Sequence, residues 1–317
     1  MRRLVPVFIL LVIAPAVAEL LLGDIPLNTA LLPTFLFDIA LYGTGAVLIR
    51  EIARRRNLGF ARIMMLAFAY GLLEEGIATQ SLFNPHFPGL NLGTYGMVLG
   101  VNWVWAPYVL GLHSVWSITL PIFLTELMFP KRRTDPWLKR VGMWTNGVIY
   151  ILALTGTVFL YLHLTDFCAS PVLLACVLLV AIVIILFALR SSASSTRAVA
   201  VPGSKNAPSP WVACVTALLG GAVLFGTHEL FPTVLSAPAV VPFLVDLAII
   251  VLVATLISRW IKCRNWGNAH ALALASGALL NTVIFGFFIA SGETNSVFHA
   301  VLSAAAIGLL AMLNWRR

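Results

Sequence analysis

Long apolar runs separated by short polar clusters fill this chain. Runs of about 20 apolar residues, the length an α-helix needs to cross a bilayer, recur at 4–22, 31–50, 60–82, 103–129, 142–163, 170–189, 211–230, 238–257, 269–290 and 295–315. They predict an all-α polytopic bundle of about ten transmembrane helices, because a helix satisfies its backbone hydrogen bonds within itself. Two polar interruptions are longer. "NPHFPGLNLGTYGMVLGVN", between spans 3 and 4, is rich in Gly, Pro and Asn and is expected to form a re-entrant segment or a lid over the outer end. "RSSASSTRAVAVPGSKNAPSP", at 190–210, has the Ser and Pro content of a flexible linker.

Composition agrees with the pattern. Hydrophobic residues are 60% of 317, charged residues 10%, and the mean hydropathy is +0.97. Membrane lipid is therefore the expected partner. Lys and Arg set the orientation. They cluster at Arg2–Arg3, Arg50–Arg62, Lys131–Arg140, Arg190–Lys205, Arg259–Arg264 and Arg316–Arg317, so all 20 fall at alternate span ends, on one side. The expected topology is N-in, C-in. The net charge of +8 reads as a cytoplasmic rim facing anionic head groups, with no nucleic-acid partner. The expected location is the cytoplasmic (inner) membrane of a prokaryote. The first span, with its basic start and Ala16-Val17-Ala18, also resembles a cleavable signal peptide. Cys168, Cys176, Cys214 and Cys263 are scattered and indicate neither a disulfide framework nor a metal cluster.

The two halves echo each other. "DIALYGTGAVLIREIARRRNLGFA" (Asp38–Ala61) lies over "DLAIIVLVATLISRWIKCRNWGNA" (Asp246–Ala269) at an offset of 208 without a gap. One residue of slip then sets Glu74 over Asn281, and "HSVWS" (His113–Ser117) resembles "HAVLS" (His299–Ser303). Glu19 and Glu229 sit near the outer ends of matching spans. Polar landmarks in the same order predict a parallel duplication of spans 1–4 and 7–10. The organisation is then a first repeat at 1–130, two connecting helices at 131–189, the linker at 190–210 and a second repeat at 211–317. A repeat that includes span 1 favours keeping that span in the mature protein.

The chemistry concentrates where carboxylates stand inside a span. Glu74 and Glu75 are adjacent in "YGLLEEGIATQSLF" (Tyr70–Phe83). An ionised acid in hydrocarbon must pair, face water or keep its proton. Helical spacing puts Glu74 on a stripe of small residues with Ala67, Gly71, Ala78 and Ser81, where helices approach closely. Glu75, about 100° round, shares a stripe with Thr79 and is expected to be the one that reaches the site, leaving Glu74 to the scaffold. His113 on span 4 falls about 15 Å from the outer end and Glu75 about 10 Å from it, so the two depths are compatible. The plainer alternatives are a Glu74 hydrogen-bonded to Tyr42 or Tyr70, a packing His113, and Asp38 and Asp246 as helix anchors. His228-Glu229 is no zinc motif, since Pro232 stands where the second His would be.

A Glu-Glu pair in one span and a His in the next resembles the CAAX protease and bacteriocin-processing family of intramembrane glutamic proteases. Its motifs are Glu-Glu-x-x-x-Arg, Phe-x-x-x-His and His-x-x-x-Asn. Here Thr79 stands at the Arg position, Val109 at the Phe position, and His299-x-x-x-Ser303 carries Ser for Asn. The resemblance implies a metal-independent, cofactor-free hydrolase or protease acting on a peptide or small-molecule substrate with Glu75, Glu74 and His113 as catalytic residues, and the residues themselves add Ser117 as a hydrogen-bond donor. A second reading is a proton-coupled transporter, with Asp38, Asp246, Asn281 and His299 along a path near the repeat axis together with Glu74. A third is a non-catalytic membrane partner protein using the same polar contacts for packing.

Reporter fusions at Asn91, Asp166 and Glu293 are expected to read outside, and fusions at Arg133, Ser195 and Arg317 inside. An outside signal at Ser195 overturns the ten-span topology.

Overall fold

The computed structural model describes residues 4–90, 93–190, 206–230, 236–290 and 292–315; most of the expected linker and the side chains of Glu229 and Leu230 lie outside the described residues. Among the described residues the chain forms ten long helices. They are α1 (Val5–Leu20), α2 (Leu31–Arg55), α3 (60–78), α4 (Trp105–Met128), α5 (Arg140–Thr165), α6 (Pro171–Leu189), α7 (Pro210–Leu230), α8 (Val240–Trp260), α9 (Asn268–Ile289) and α10 (Glu293–Trp315). All but α1 and α3 are long and apolar enough to cross a membrane by themselves. α1 is apolar but shorter, and α3 carries Arg62, Glu74 and Glu75. The architecture is an all-α polytopic bundle.

Burial sorts the helices. α4 is the central one: 83% of its apolar stretch is buried, against 11% for each of α5, α6 and α8. On one side it joins a core with α1, α2 and α3 through Ile118 and Ile122, and on the other a core with α7 and α9 through Trp116 and Leu120. Trp116 Nε1–H also donates to Ala278 O on α9 at 2.8 Å. The outward faces of α5, α6 and α8 carry exposed residues such as Leu152, Phe159, Leu179 and Leu252, as lipid-facing helices do. α7 and α9 pack along each other through small residues. Gly277 is needed there because a Cβ at that position would run into the carbonyl of Cys214.

The quartets α1–α4 and α7–α10 share contacts between their first and second members and between their third and fourth. They differ elsewhere, for α1 lies along α4 whereas α7 lies along α9.

The described residues between α3 and α4 fold as turns and a small hairpin. β1 (Met97–Val98) pairs antiparallel with β2 (Val101–Asn102). Leu99 and Gly100 both take positive φ, 55° and 78°, the conformation that a two-residue hairpin loop requires. Asn102 then ties the segment down. Its N–H donates to Leu82 O at 2.8 Å, and its Oδ1 accepts from Val104 and Trp105 N–H at 3.1 and 3.0 Å, opening α4. The Tyr95 hydroxyl donates to Ala237 O at 2.7 Å and so reaches the segment before α8.

At the basic end a buried ionic cluster joins α2 to α4. Glu126 accepts from Arg54 Nε and Nη2, both at 2.6 Å, and from Arg50 Nε at 3.2 Å. Arg50 also donates to Glu51, to the carbonyls of Arg132, Arg133 and Asp135, and stacks 3.4 Å from the Trp137 ring centroid. Glu51 receives the N–H groups of Trp137 and Leu138 at 2.7 and 3.1 Å. This corrects the expectation of a rim turned wholly to lipid. Arg50 is fully buried and Arg54 partly buried, because each meets a carboxylate that lies far away in sequence.

Glu126→Gln keeps the shape of the side chain but removes the carboxylate that Arg50, Arg54 and Arg133 share. It is expected to cost about 3–5 kcal/mol, the usual penalty for breaking a buried pair on one side. Detergent-solubilised thermal unfolding checks this. An unchanged melting temperature contradicts it.

Candidate functional site

Four of the ten helices widen into π-helical turns: Ala16–Leu20 in α1, Ile39–Gly43 in α2, Leu73–Ala78 in α3 and His113–Thr119 in α4. Hydrogen bonds spanning five residues mark them. Leu21 N–H donates to Ala16 O, Thr44 N–H to Ile39 O, Thr79 N–H to Glu74 O and Leu120 N–H to Val115 O. Such turns are rare and concentrate at functional sites. Each one here holds or adjoins a polar residue: Glu19, Asp38 with Tyr42, Glu74 with Glu75, and His113 with Ser117. The π segments of α1 and α4 touch, and that of α2 lies on α1.

The site is built around His113. Gly71 on α3 makes the approach possible, since a Cβ there would stand 3.1 Å from His113 Cβ. His113 Nε2 then lies 2.9 Å from Glu75 Oε1. Its Nδ1 lies 3.0 Å from Ser117 Oγ, one turn along the same helix, and 3.4 Å from Glu74 Oε2. Tyr42 stacks on the imidazole at 5.9 Å between centroids with 13° between planes, and Tyr70 tilts against it at 6.3 Å. Glu74, Glu75, His113 and Ser117 are all buried.

The two glutamates are not equivalent. Glu75 is held from every side. Oε1 faces His113, while Oε2 accepts from Thr79 Oγ1 at 3.2 Å and from Ser81 Oγ. Ser81 is itself fixed by Trp105 Nε1–H at 2.8 Å. The loop conformation supplies this clamp. Gln80 takes φ 57°, the left-handed turn that often ends a helix, and Ser81 is thereby carried back to Glu75. Gln80 is in turn anchored, its Oε1 accepting from Ala169 N–H at 2.7 Å. Glu74 Oε2, by contrast, is buried with no hydrogen-bond partner.

The sequence reading gave Glu75 to the site and Glu74 to the scaffold because neighbours on an α-helix diverge by about 100°. The structure brings both to His113. Five-residue hydrogen bonding adds a residue per turn and narrows the angle between neighbours. The more tightly bonded acid is Glu75, and the free oxygen belongs to Glu74.

Further acids stand close by. Glu19 interacts electrostatically with His113 and Glu75, and Asp38 with Glu19 and Glu74, while the Tyr42 hydroxyl lies beside Glu19 and Glu74. Glu19 entered the sequence reading only as a repeat landmark. Its position at the outer end of an apolar span was the available signal. The remaining path residues do not join this cluster through their hydrogen bonds. Asp246 accepts from Thr227 Oγ1 between α7 and α8. Asn281 Nδ2 donates to Ala217 O and Gly277 O, both at 3.2 Å, against α7. His299 Nε2 lies 3.0 Å from Val283 O and 3.3 Å from Ser303 Oγ, between α9 and α10. His86 and His163 are exposed.

The asymmetry between the acids has a stability signature. Glu75→Gln turns an NH₂ donor toward a pocket of donors and is expected to cost about 1.5–3 kcal/mol, the range for a hydrogen bond to a charged group. Glu74→Gln alters an oxygen that makes no hydrogen bond and lies 3.4 Å from His113 Nδ1, and is expected to shift the melting temperature less. Equal losses in the two variants contradict the distinction.

No curated protein and no solved structure matches the chain. A family model matches residues 8–313. That match supports the membrane reading and lends none to the glutamic-protease resemblance. With ten long helices, eight of them apolar enough to span a bilayer alone, and a match over nearly its whole length, the chain belongs to an uncharacterized membrane protein family.

Proposed function

We propose that the protein is an intramembrane hydrolase, cleaving a carbonyl-centred bond in a peptide or small molecule that enters from the lipid phase. One observation carries the reading: a buried glutamate oxygen without a partner stands 3.4 Å from an imidazole that a second, fully bonded glutamate holds in place. Geometry of this kind is the first requirement for general-base catalysis. Glu75 is then a positioning residue, accepting from Nε2–H and fixing the ring. The Nδ1 side faces Ser117 and Glu74. Glu74 Oε2 is the base.

The step balances without a metal. A water held at Glu74 gives its proton to the carboxylate as its oxygen bonds to the carbonyl carbon. The C–N or C–O bond then breaks, and the leaving group takes the proton back from Glu74. His113 stabilises the charge on Glu74 before the transfer. Nδ1–H, the ring donor that Glu75 does not hold, faces both Glu74 and the Ser117 hydroxyl oxygen.

The transporter reading needs Glu74, Asp38, Asp246, Asn281 and His299 along one path. The hydrogen bonds of Asp246, Asn281 and His299 fall in three different helix pairs, whereas Glu74, Glu75, His113 and Ser117 converge. This favours chemistry at one place over passage along many. The basic residues at one end of the bundle support placement in an inner membrane with that end in the cytoplasm.

Heavy-oxygen water gives a test that needs no known substrate. Membranes carrying the protein are incubated in it, and peptide and lipid extracts are searched for products that gain the label. Labelled products are expected with wild type and should fall by about 10²–10⁴-fold with Glu74→Gln or His113→Gln. Ser117→Ala is expected to reduce them and not abolish them. If no labelled product depends on Glu74, the hydrolase reading fails.

A further inference from the structure

Hydrolysis of a carbonyl compound asks for two polar groups of opposite sense. One accepts the proton of the attacking water, and the other donates to the oxygen on which negative charge develops. Glu74 Oε2 is placed for the first task. The second task has no obvious holder among the groups already bonded. Both nitrogens of His113 face partners, Glu75 on one side and Ser117 with Glu74 on the other. Lys and Arg cluster at the other ends of the spans. One donor at this place is still free. The Tyr70 hydroxyl is buried without a hydrogen-bond partner, on a side chain only 3% exposed. A buried donor left unpaired is costly and calls for an explanation.

Its position supplies one. Tyr70 stands one turn before Glu74 on α3, so the two share a face. The hydroxyl lies near the Glu74 carboxyl yet makes no hydrogen bond of proper geometry with it. A donor and an acceptor, both buried and both unpartnered, therefore flank one imidazole. The Tyr70 ring is held on several sides. Gly45 on α2 admits it, since a Cβ there would stand 2.5 Å from Tyr70 Cε2. Tyr150 on α5 packs against it at 5.9 Å between centroids, Tyr42 at 6.2 Å and His113 at 6.3 Å. Glu74, Glu19 and Tyr150 are the titratable groups that act on the hydroxyl electrostatically. A ring clamped in this way presents its O–H at a fixed point, and a donor that need not reorganise is what a developing oxyanion requires.

We propose that Tyr70 is a further catalytic residue, its hydroxyl donating to the substrate carbonyl oxygen while the water held at Glu74 attacks the carbonyl carbon. The inference rests on the hydrolase reading. The step moves no proton from Tyr70. As the water oxygen bonds to carbon, the carbonyl π pair moves onto oxygen, and the Tyr70 O–H shortens its hydrogen bond to that oxygen. When the C–N or C–O bond breaks, the pair returns to the carbonyl and the hydrogen bond weakens again. The site then takes acyl compounds, whose carbonyl oxygen can meet Tyr70 while the carbon meets the water.

The test adds two proteins to the heavy-oxygen labelling. Tyr70→Phe keeps the ring and removes the donor. Glu74-dependent labelled product is expected to fall by about 10²–10³-fold, the usual loss for one oxyanion donor. The melting temperature should stay near that of wild type, because the hydroxyl has no hydrogen bond to lose. The second protein carries a ring-fluorinated tyrosine in place of Tyr70. Fluorine eases loss of the phenol proton, and only the protonated hydroxyl can donate. Labelling should persist, with the alkaline limb of its pH profile moved to lower pH. A purely structural tyrosine moves neither readout, and the fluorinated protein decides alone if Tyr70→Phe fails to fold. The inference is overturned if folded Tyr70→Phe labels like wild type, or if the fluorinated protein keeps the wild-type pH profile. Product that depends on Glu74 and not on Tyr70 sinks this inference alone. If no product depends on Glu74, the hydrolase reading and this inference fall together.

Discussion

A carboxylate left alone in hydrocarbon is costly, and the contact between Glu75 and His113 is the answer this bundle makes to that constraint. The surrounding structure can be read as what the contact demands. Gly71 lets α3 close on α4. The π turns in both helices aim neighbouring polar side chains toward one point. Gln80, in its left-handed conformation, returns Ser81 to the carboxylate, and Trp105 fixes Ser81 in turn. These choices lower helix quality locally, and among the described residues they gather in α1 to α4, beside Glu19, Asp38, Glu74 with Glu75, and His113.

A second carboxylate problem at the basic end is solved differently. Glu126 meets Arg50, Arg54 and Arg133, and Glu51 meets Arg50 and two backbone N–H groups, so both carboxylates find opposite partners. That cluster locks α2 to α4 and to the segment before α5. The cluster around His113 gathers Glu74 and Glu75 with Glu19 and Asp38 close by. One end of the bundle is therefore neutralised, and the other is left with an excess of acid and an oxygen without a hydrogen-bond partner. Function is expected where compensation is incomplete.

Much of the fold was legible from hydropathy alone. All ten runs correspond to helices, because lipid imposes length and apolarity that few other constraints imitate. Glu74, Glu75 and His113 also stood out, since acids and imidazole in a span are rare. Their roles were not legible. The expectation for Glu74 and Glu75 assumed α-helical angles, and the π turn altered them. Arg50 looked like part of a charged rim because its partner Glu126 is 76 residues away. Tyr42 was legible as a partner of Glu74, and Glu74 does interact with it, whereas Glu19 stood out only as a repeat landmark. The echo between the halves is plain in Asp38 and Asp246, yet Asp246 pairs with Thr227 whereas Asp38 lies among the acids around His113, and α1 and α7 choose different neighbours. Sequence resemblance recorded the order of landmarks and not the packing around them.

The central claim is that Glu75 and His113 are one energetic unit across α3 and α4. A double-mutant cycle on thermal stability, built from Glu75→Gln, His113→Asn and the combination, isolates that term from the packing losses of each single change. A coupling above about 1 kcal/mol is expected, in the range found for residues in direct contact. Additivity to within about 0.5 kcal/mol would mean that the two side chains do not depend on each other, and the account of the site would be wrong.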